Sequence, residues 1–468
     1  MTMIWEEVLA ATGAVLHSGN LHRNETIPHI TTDTRKIAAG DLFVALRGEN
    51  FDGADFAAEA LQKGAAAVLV STPLSASVQK ELKKAQGAVL TVGDTLAAYQ
   101  AIAHAWRMKF DIPVVAVTGS NGKTTTKDLT AAVLSGRGPV CRTAANYNNE
   151  VGLPLTLLGI TEKDTAAVVE IGMRGLGQIA ALAPAAAPTI GIVTNVCEVH
   201  MELLGSMENI AKAKAELVQA IPAGGTVILN TDDERVAAMR SCAADGVRVL
   251  TYGFKADADV RAEALRLAAD GAQFMVTWAN ERHDYSIPLA GRHNVSNALA
   301  ALAAGFVLGL TPQEIQAGLC ALAPSKMRYE VHTVGAWRLI NDAYNASPSS
   351  MRAALETTAA LYHGRRIAVL GDMLELGDAA EEAHREIGRR AAELGFAALV
   401  TYGPQAQWMH EAAEAAGCPV CRHAATHEAA AEHLRALLRD GDTVLFKGSR
   451  GMKMEAVIAL LTGEEAGH

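Results

Sequence analysis

The stretch VVAVTGSNGKTTTKDL, residues 114–129, decides the fold of this chain. Its first residues, Val114–Val117, are uncharged and mostly β-branched, which is typical of a strand buried in a parallel sheet. Gly119 and Gly122 allow a tight turn whose backbone N–H groups can approach an anion. Residues 127–134 then repeat apolar side chains with helical spacing, and a helix N-terminus carries partial positive charge. The stretch therefore predicts a strand, a phosphate-binding turn and a helix.

Lys123 and Thr124 give this turn the chemistry of a nucleotide site. The lysine is expected to contact the β- and γ-phosphates, and the threonine hydroxyl is expected to bind Mg²⁺. The general pattern G-x-x-x-x-G-K-[ST] is not met, because Val117 stands where its first glycine would be. The strand before the turn and the helix after it nevertheless favour a nucleotide site over a solvated lysine in an ordinary turn.

The composition limits the function classes. The chain has 468 residues, which suggests about three domains, and its content of 50% hydrophobic and 20% charged residues is that of a globular protein. The net charge of −10, without a long basic tract, disfavours nucleic-acid binding. The longest apolar run, Ala298–Leu310, is too short to span a bilayer, and no signal peptide is visible. We therefore expect a cytoplasmic protein with no membrane span.

Strand and helix patterns alternate along most of the chain, which predicts an α/β protein with parallel sheets and ligands at the carboxyl ends of strands. We predict three domains: residues 1–105, a small N-terminal α/β domain; residues 106–323, a central parallel-sheet ATPase domain; and residues 324–468, a Rossmann-like α/β domain. The segment Pro324–Arg328 is interpreted as the hinge before the last domain. The spacing Cys418-Pro-Val-Cys421 is a weak redox or metal signal, and a short strand after a helix is favoured there.

Two side chains downstream of the phosphate loop are candidates for the same site. Glu170 ends the predicted strand Ala166–Ile171, where its carboxylate could reach a metal held by Thr124; the alternative is a solvated acid at a strand end. His200 follows the predicted strand Ile190–Thr194, beyond the carboxyl end where the ligand is expected, although a lone histidine is more often structural.

Lys214 lies on the apolar face of the predicted helix Glu208–Ile221, whereas Lys212 lies on roughly the opposite side. Burial lowers the pKa of a lysine, and the resulting neutral amine can add CO₂ to form an anionic carbamate that binds Mg²⁺ through oxygen. The alternative is an unmodified lysine whose amine reaches past the apolar face to solvent.

Together these features carry a resemblance to a known family. The chain resembles the Mur ligases in five motifs, which occur in the family's order: TGSNGKTT (118–125), VVEIGM (168–173), NVCEVHMELLGS (195–206), AKAKAEL (211–217) and GRHNVSNALAA (291–301). TDTR (32–35) with GDLFVALRGENFDG (40–53) resembles the N-terminal domain of the two later Mur ligases. KGSRGMKME (447–455) resembles the member that adds a dipeptide.

The resemblance implies an ATP-dependent amide ligase of peptidoglycan synthesis. The implied substrates are UDP-N-acetylmuramoyl-tripeptide and D-alanyl-D-alanine, joined through an acyl phosphate on the tripeptide's terminal carboxylate. Two alternatives stay open at this point: the preceding Mur ligase, which adds the third amino acid, and a nucleotide-binding switch without ligase activity. KGSRGMKME and GDMLELG (371–377) speak against the first alternative. The third residue of the tripeptide stays open, and a monomer is expected.

The resemblance also implies roles for individual residues. The implied catalytic residues are Lys123, Glu170, His200, Lys214 and Arg328. The implied nucleotide contacts are Gly119, Ser120, Asn121, Gly122, Lys123, Thr124, Thr125, Asn294, Asn297, Arg328 and Asp342. The implied metal ligands are Thr124 with Glu170 for one Mg²⁺, and His200 with carbamylated Lys214 for a second. The implied substrate contacts are Asp33, Thr34, Arg35, Arg47 and Gly48 for the UDP-sugar, Asn146, Asn148 and Asn149 across the central domain, and Lys447, Ser449 and Arg450 for the dipeptide's carboxylate.

The C-terminal part departs from the general family pattern at two places. Other members carry a histidine immediately before the arginine at 328 and a lysine two places after the aspartate at 342. Met327 and Tyr344 stand there in this chain. The departure suits the dipeptide-adding branch and leaves the role of Tyr344 open. Arg328 itself is expected to reach the ATP phosphates only after domain closure.

Overall fold

The computed structural model describes residues 3–48, 51–323 and 325–463. Glu49 and Asn50, inside the GENFDG motif, and Pro324, at the start of the predicted hinge, lie outside the described residues. Within the described ranges, no helix is both long enough and apolar enough to cross a bilayer.

Contacts between residues divide the chain into two compact units. The first comprises residues 1–116, 138–172 and 180–189, and the second comprises residues 117–137, 173–179 and 190–468. This division follows compactness and passes through the central segment. The domain limits proposed from the sequence, at residues 105 and 323, therefore stay predictions.

The N-terminal part of the first unit forms a five-stranded sheet. The elements of this part are β1 (Met3–Ile4), α1 (Trp5–Thr12), β2 (Val15–Ser18), β3 (Thr26–Ile27), β4 (Ile30–Thr31), β5 (Leu42–Val44), α2 (Ala57–Gln62), β6 (Ala67–Ser71), α3 (Ala76–Leu82), β7 (Ala88–Val92) and α4 (Thr95–Arg107). The strand order is β2-β7-β6-β5-β4, parallel except for the edge strand β2. Its core includes the buried rings of Trp5, Tyr99 and Trp106.

The central segment alternates strands and helices, as its sequence predicts. Its elements are β8 (Val114–Thr118), α5 (Lys123–Leu134), β9 (Val140–Arg142), α6 (Gly152–Leu158), β10 (Ala166–Glu170), α7 (Gln178–Ala186), β11 (Ile190–Val193), α8 (Met201–Leu204), α9 (Met207–Ala220), β12 (Thr226–Asn230), α10 (Glu234–Ala238), β13 (Arg248–Gly253), β14 (Val260–Ala268), β15 (Gly271–Trp278), β16 (Glu281–Ile287), α11 (Arg292–Val307) and α12 (Pro312–Cys320). The three strands predicted here, Val114–Val117, Ala166–Ile171 and Ile190–Thr194, are confirmed, with ends that differ by one residue.

The pairing of the central strands differs between the two units. In the first unit β9 and β10 are parallel, and Val114 O at the start of β8 accepts a hydrogen bond from Thr189 N. In the second unit β11, β12, β13 and β14 are parallel, and β14, β15 and β16 form an antiparallel extension. The carboxyl ends of β8 and β11 are joined in the second unit, where Thr194 N donates to Thr118 O.

Helix α5 begins earlier than the sequence predicts. The apolar spacing places its start at Lys127, but the structure places it at Lys123, directly after Gly122 in a left-handed conformation with φ of 79°. Thr126 N already donates to Gly122 O at 2.8 Å. The first turn is missed by the apolar pattern because its lysine and threonines are polar residues of the phosphate loop.

The C-terminal part of the second unit forms a six-stranded sheet. Its elements are β17 (Glu330–Val334), β18 (Trp337–Asp342), α13 (Pro348–Leu361), β19 (Arg366–Gly371), α14 (Ala380–Glu393), β20 (Ala398–Tyr402), α15 (Ala406–Ala415), β21 (Cys421–Ala424), α16 (His427–Leu437), β22 (Thr443–Lys447) and α17 (Glu455–Thr462). The order is β17-β18-β22-β19-β20-β21, parallel except for β17. Cys418 and Cys421 are buried, and the second begins β21, which confirms a strand after a helix.

Candidate active site

The phosphate loop is fixed to the carboxyl end of β11. The backbone of Asn121 is held by Asn195, whose Oδ1 accepts from Asn121 N at 2.8 Å, and by the Thr194 hydroxyl, which donates to Asn121 O at 2.7 Å. A Cβ at Gly119 would lie only 1.8 Å from Thr194 Oγ1. Only glycine permits this approach, so the loop's shape is set by its contact with the neighbouring strand.

Lys123 folds back over the loop that precedes it. Its amine donates to Gly119 O at 2.9 Å and to Ser120 O at 3.1 Å. The predicted phosphate-binding lysine therefore stands at the mouth of the loop, at the N-terminus of α5, where the helix dipole favours an anion.

Arg328 reaches the same loop from the C-terminal part of the second unit. Its Nη2 donates to Thr124 Oγ1 at 2.8 Å, and its guanidinium lies 4.1 Å from the centre of the Tyr344 ring. A cation over an aromatic face is stabilised by the ring's negative potential, so Tyr344 orients the arginine. That Arg328 meets the nucleotide only after domain closure stays a prediction, although the guanidinium already lies at the loop.

His200 stands between the phosphate loop and the C-terminal part of the unit. Its Nδ1 lies 2.5 Å from Glu375 Oε2. Burial lowers the pKa of His200, and the charges of Lys123 and Lys214 lower it further, while Glu375 opposes the shift. The imidazole is therefore held by a carboxylate on one side and faces two lysines, which favours a neutral ring with a lone pair available.

Lys214 is buried on helix α9, as its position on the apolar face predicts. Its side chain is 2% exposed, whereas Lys212 is exposed. Burial holds the pKa of the Lys214 amine well below its ordinary value, and the charge of Lys123 lowers it further. No carboxylate of the described ranges forms an ion pair with this amine. Such surroundings favour the neutral form of a lysine amine over the charged form.

Glu170 is buried at the end of β10, within the first unit. Asn148 Nδ2 donates to its Oε1 at 2.7 Å. Asn149 instead caps helix α6, since its Oδ1 accepts from Gly152 N at 2.9 Å. The structure thus separates the predicted asparagines: Asn148 orients the carboxylate, Asn149 caps a helix, and Asn146 is exposed.

The residues predicted to bind the UDP-sugar lie in two loops of the first unit. Asp33 and Arg35 form a bidentate ion pair with both contacts at 2.8 Å, and the arginine's hydrogen bonds lower the pKa of Asp33 to about 2. Arg47 Nε lies 3.2 Å from Asp52, and Gly48 N donates to Phe51 O. Thr34 begins the short 3-10 turn that Asp33 caps.

Asn294 and Asn297, the predicted adenine and ribose contacts, are buried on helix α11. Asn294 donates to Ala290 O at 2.7 Å, and Asn297 donates to Asn294 Oδ1 at 3.3 Å. The Asn297 oxygen accepts from Thr126 at 3.2 Å and would lie 2.4 Å from a Cβ at Gly122. Both amides therefore support the phosphate loop from behind, and their contacts with the nucleotide stay predictions.

The residues predicted to hold the dipeptide have different surroundings. Lys447 is buried, and its amine lies 2.7 Å from Asp342 Oδ2. Lys447 is predicted to bind the dipeptide and Asp342 to contact the nucleotide, but here they form an ion pair with each other. The Ser449 hydroxyl accepts from Leu374 N at 2.9 Å, which fixes the loop after β22. Arg450 presents an exposed guanidinium, 2.8 Å from Glu455.

The two Mg²⁺ sites and their ligands stay predictions. No group of three or more His, Cys, Asp or Glu side chains suited to a metal occurs in the part of the chain that the structure describes. The predicted ligands include only Glu170 and His200 of these types, and the others are a threonine hydroxyl and a modified lysine. Hydroxyl and carboxylate oxygens are the ligands that Mg²⁺ prefers, together with water and substrate phosphates.

Comparisons with known proteins show which family this chain belongs to. Three family models match the chain: "Mur ligase family, catalytic domain" at residues 26–107, "Mur ligase middle domain" at 117–305, and "Mur ligase, glutamate ligase domain" at 327–450. The chain belongs to the Mur ligase family. It is an ATP-dependent ligase with the three-domain α/β fold of that family.

Several relatives are similar over nearly the whole of this Mur ligase. UDP-N-acetylmuramoyl-tripeptide–D-alanyl-D-alanine ligases of Synechocystis, Bacillus subtilis and Escherichia coli are 40%, 37% and 36% identical, covering 95%, 94% and 93% of this chain and 94% of each relative. A crystal structure of MurF from Acinetobacter baumannii superposes with a TM-score of 0.91 at 29% identity, covering 99% of both chains. MurF from Thermotoga maritima in complex with ADP has a TM-score of 0.82 at 26% identity, covering 93% of this chain and 97% of its own.

Sequence reasoning missed three parts of the site in this Mur ligase. Glu375, within GDMLELG, was used only as a marker of the family branch, yet it holds His200. Thr194 and Asn195 fix the phosphate loop, and their place at a strand's carboxyl end was an available signal. Ser347 and Ser349, at the start of α13, hydrogen-bond the Asn121 side chain at 3.1 Å and 2.8 Å. No motif in the sequence predicts the contact of these two serines with Asn121.

We predict that Glu375→Ala lowers turnover about tenfold to a hundredfold, because the variant loses the carboxylate that orients the imidazole of His200. Glu375→Gln, which keeps an acceptor oxygen, should retain part of the activity. Steady-state ligation rates, with thermal unfolding as a check on the fold, measure both. Asp378→Ala, an exposed acid in the same loop, is the matched control. Wild-type turnover in Glu375→Ala would show that His200 needs no partner.

Proposed function

We propose that this chain joins D-alanyl-D-alanine to UDP-N-acetylmuramoyl-tripeptide and so makes the pentapeptide precursor of peptidoglycan. The observation that carries the proposal is that Lys123 and Arg328 meet at the phosphate loop, while His200 and Lys214 lie close enough for the charge of Lys123 to lower their pKa values. The dipeptide-adding names of relatives at 36–40% identity support it. We further propose that it acts as a monomer in the cytoplasm and serves cell-wall synthesis, and thereby cell shape and division.

The proposed reaction has two steps. A carboxylate oxygen of the tripeptide attacks the γ-phosphorus of ATP, the bond to the β,γ-bridging oxygen breaks, and ADP leaves behind an acyl phosphate. The amine of D-alanyl-D-alanine then attacks the acyl carbon, loses a proton, and expels inorganic phosphate as the amide forms. Both steps build negative charge on phosphoryl oxygens, so positioning and electrostatic stabilisation can supply much of the rate.

Two cations of this chain suit the developing charge. Lys123 can move from its loop carbonyls to the β- and γ-phosphates, since those carbonyls only hold it at the mouth of the loop. Arg328, seated on Tyr344, can donate to the transferred phosphoryl group from the other side of Thr124. The backbone N–H groups at the start of helix α5 would face the remaining phosphate oxygens.

We also propose that two Mg²⁺ ions serve the reaction, one held by Thr124 with Glu170 and one by His200 with carbamylated Lys214. Bound Mg²⁺ would neutralise phosphate charge during transfer. The buried, low-pKa amine of Lys214 supports the carbamate, because the neutral form is the one that adds CO₂. Asn148 orients the carboxylate of Glu170, and Glu375 orients the imidazole of His200. Such second contacts are typical of metal ligands, because a ligand must direct one oxygen or one nitrogen at the ion.

The proposed division of substrates follows the three predicted domains. Residues 1–105 would bind the UDP-sugar, residues 106–323 would bind ATP, and residues 324–468 would bind the incoming dipeptide. Arg450 is the best-supported dipeptide contact, because its guanidinium is exposed and its planar donors match a carboxylate.

We predict that phosphate release from ATP requires both UDP-N-acetylmuramoyl-tripeptide and D-alanyl-D-alanine, and that Lys123→Ala abolishes it with the fold intact. The variant keeps the loop amides but loses the mobile charge on the γ-phosphate. Purified protein, a coupled phosphate assay and a circular dichroism spectrum test this. Lys163→Ala, an exposed lysine, is the control. Phosphate release with a single amino acid but without the dipeptide would instead identify the preceding ligase, and release without either acceptor would identify a nucleotide switch.

We predict that Lys214→Ala is nearly inactive and is partly rescued by added short-chain carboxylates, which can replace the carbamate oxygens. Lys212→Ala, two residues away and exposed, should be close to wild type. Turnover with and without acetate or formate measures the rescue, and mass spectrometry under native conditions or ¹³CO₂ labelling detects the carbamate. An active enzyme whose Lys214 amine is unmodified would contradict the proposal.

We predict that Arg450→Ala raises the KM for D-alanyl-D-alanine about tenfold to a hundredfold, the range expected for losing a charge-assisted hydrogen bond of about 1.5–3 kcal/mol. Binding of the UDP-sugar substrate, measured by calorimetry, should change little. Arg439→Ala, an exposed arginine of the same domain, is the matched control. An unchanged KM for the dipeptide would remove Arg450 from the site.

A further inference from the structure

Arg174 lies in the loop Gly172–Gly177 that follows β10, and nothing in the proposed reaction uses it. The loop is anchored: Arg174 N donates to Gln178 Oε1 at 2.6 Å, and Gly177 N donates at 2.6 Å to Glu216 Oε1 on α9, the helix that carries Lys214. The side chain of Arg174 is 72% exposed. A fixed backbone therefore presents a cation to solvent next to the helix of the candidate metal ligand.

The only ion pair that the described residues give Arg174 is with Glu375, at 3.9 Å between Nη2 and Oε1. The other oxygen of the same carboxylate holds His200 at 2.5 Å. One carboxylate thus separates the arginine from the imidazole, and the charges of Lys123 and Lys214 act on that imidazole. An exposed pair this long contributes little to stability, so the Arg174 guanidinium can leave it for an anionic group of a ligand at little cost.

The substrate brings a charged group to this place. The tripeptide's terminal carboxylate must stand at the γ-phosphate to be phosphorylated, so the side chain of the same residue would extend from there toward the surrounding charged side chains. Lysine ends in an ammonium group alone. 2,6-Diaminopimelate carries an ammonium and a carboxylate on its far carbon, and this residue is part of the name of a solved Acinetobacter baumannii ligase with a TM-score of 0.87 and 29% identity.

We propose that Glu375 and Arg174 bind the far end of the tripeptide's third residue, and that this residue is a diamino acid with a second carboxylate, 2,6-diaminopimelate, in preference to lysine. The carboxylate of Glu375 would pair with the ammonium group on that far carbon, and the guanidinium of Arg174 would pair with its carboxylate. Arginine suits the carboxylate because its planar donors can bind both oxygens. With lysine in the site, Glu375 keeps its ammonium partner while Arg174 has no substrate anion.

This inference rests on the proposed function, because it assigns a part of that function's substrate. It predicts that the enzyme distinguishes the two tripeptides by one group, the far carboxylate of the third residue. A site built to bind a charged group rejects the analogue that lacks it. The discrimination should be about tenfold to a hundredfold in kcat/KM, the range expected for one charge-assisted hydrogen-bonded contact.

The test compares two UDP-N-acetylmuramoyl-tripeptides, ending in 2,6-diaminopimelate or in lysine, with the full-length enzyme, ATP and D-alanyl-D-alanine. The wild type should prefer the diaminopimelate substrate. Arg174→Ala should bring the ratio of the two kcat/KM values close to one, Arg174→Lys should keep part of the preference, and Arg174→Glu should reverse it by repelling the carboxylate and attracting the ammonium. Arg282→Ala, an exposed arginine on β16, should keep the wild-type ratio.

Three outcomes would overturn the inference: equal efficiency of the wild type with both tripeptides, an unchanged preference in Arg174→Ala, or an equal loss with both tripeptides in that variant. The last outcome would identify Arg174 as a phosphate contact. Failure of the proposed function looks different, since the wild type would then ligate neither tripeptide. Calorimetric binding of the two tripeptides, which needs no turnover, measures the same ratio for wild type and Arg174→Ala in that case.

Discussion

The close approach of the phosphate loop to the carboxyl end of β11 is the constraint on which the site depends. Gly119 lies against Thr194, and Asn195 binds the backbone of Asn121 through its side-chain oxygen. Because the loop takes its shape from the next strand, its N–H groups are directed before any nucleotide arrives. The loop also determines where helix α5 begins, so Lys123 takes its position from this contact.

The second determinant is the burial of ionisable side chains in the candidate site. Lys214 lies among the apolar side chains of α9, and this cost is tolerable only if the amine is neutral or converted to an anion with a metal partner. His200 has a related position, with Glu375 on one side and two lysines on the other. In both cases the surroundings select one protonation state, which is common where proteins prepare groups for catalysis.

The sequence predicted the fold class, the order of most strands and helices, and the buried face of α9, because these follow from apolar periodicity and turn residues. It placed the start of α5 four residues late, since a phosphate-binding first turn is polar and leaves no periodic signal. It could not predict that Glu375 holds His200 or that Ser349 binds Asn121. Such pairs join residues far apart in the chain, and one sequence contains no record of which distant side chains meet.

The buried ion pair of Lys447 and Asp342 has a consequence for how substitutions in this enzyme are interpreted. An alanine at either position leaves its partner as an uncompensated charge in a low-dielectric surrounding, which costs several kcal/mol whatever the residue does for a ligand. The loss of stability or activity after a single replacement of Lys447 would therefore reflect mainly the unpaired carboxylate of Asp342. Only a double-mutant cycle that neutralises both residues together can separate the coupling between them from the ligand contacts proposed for each.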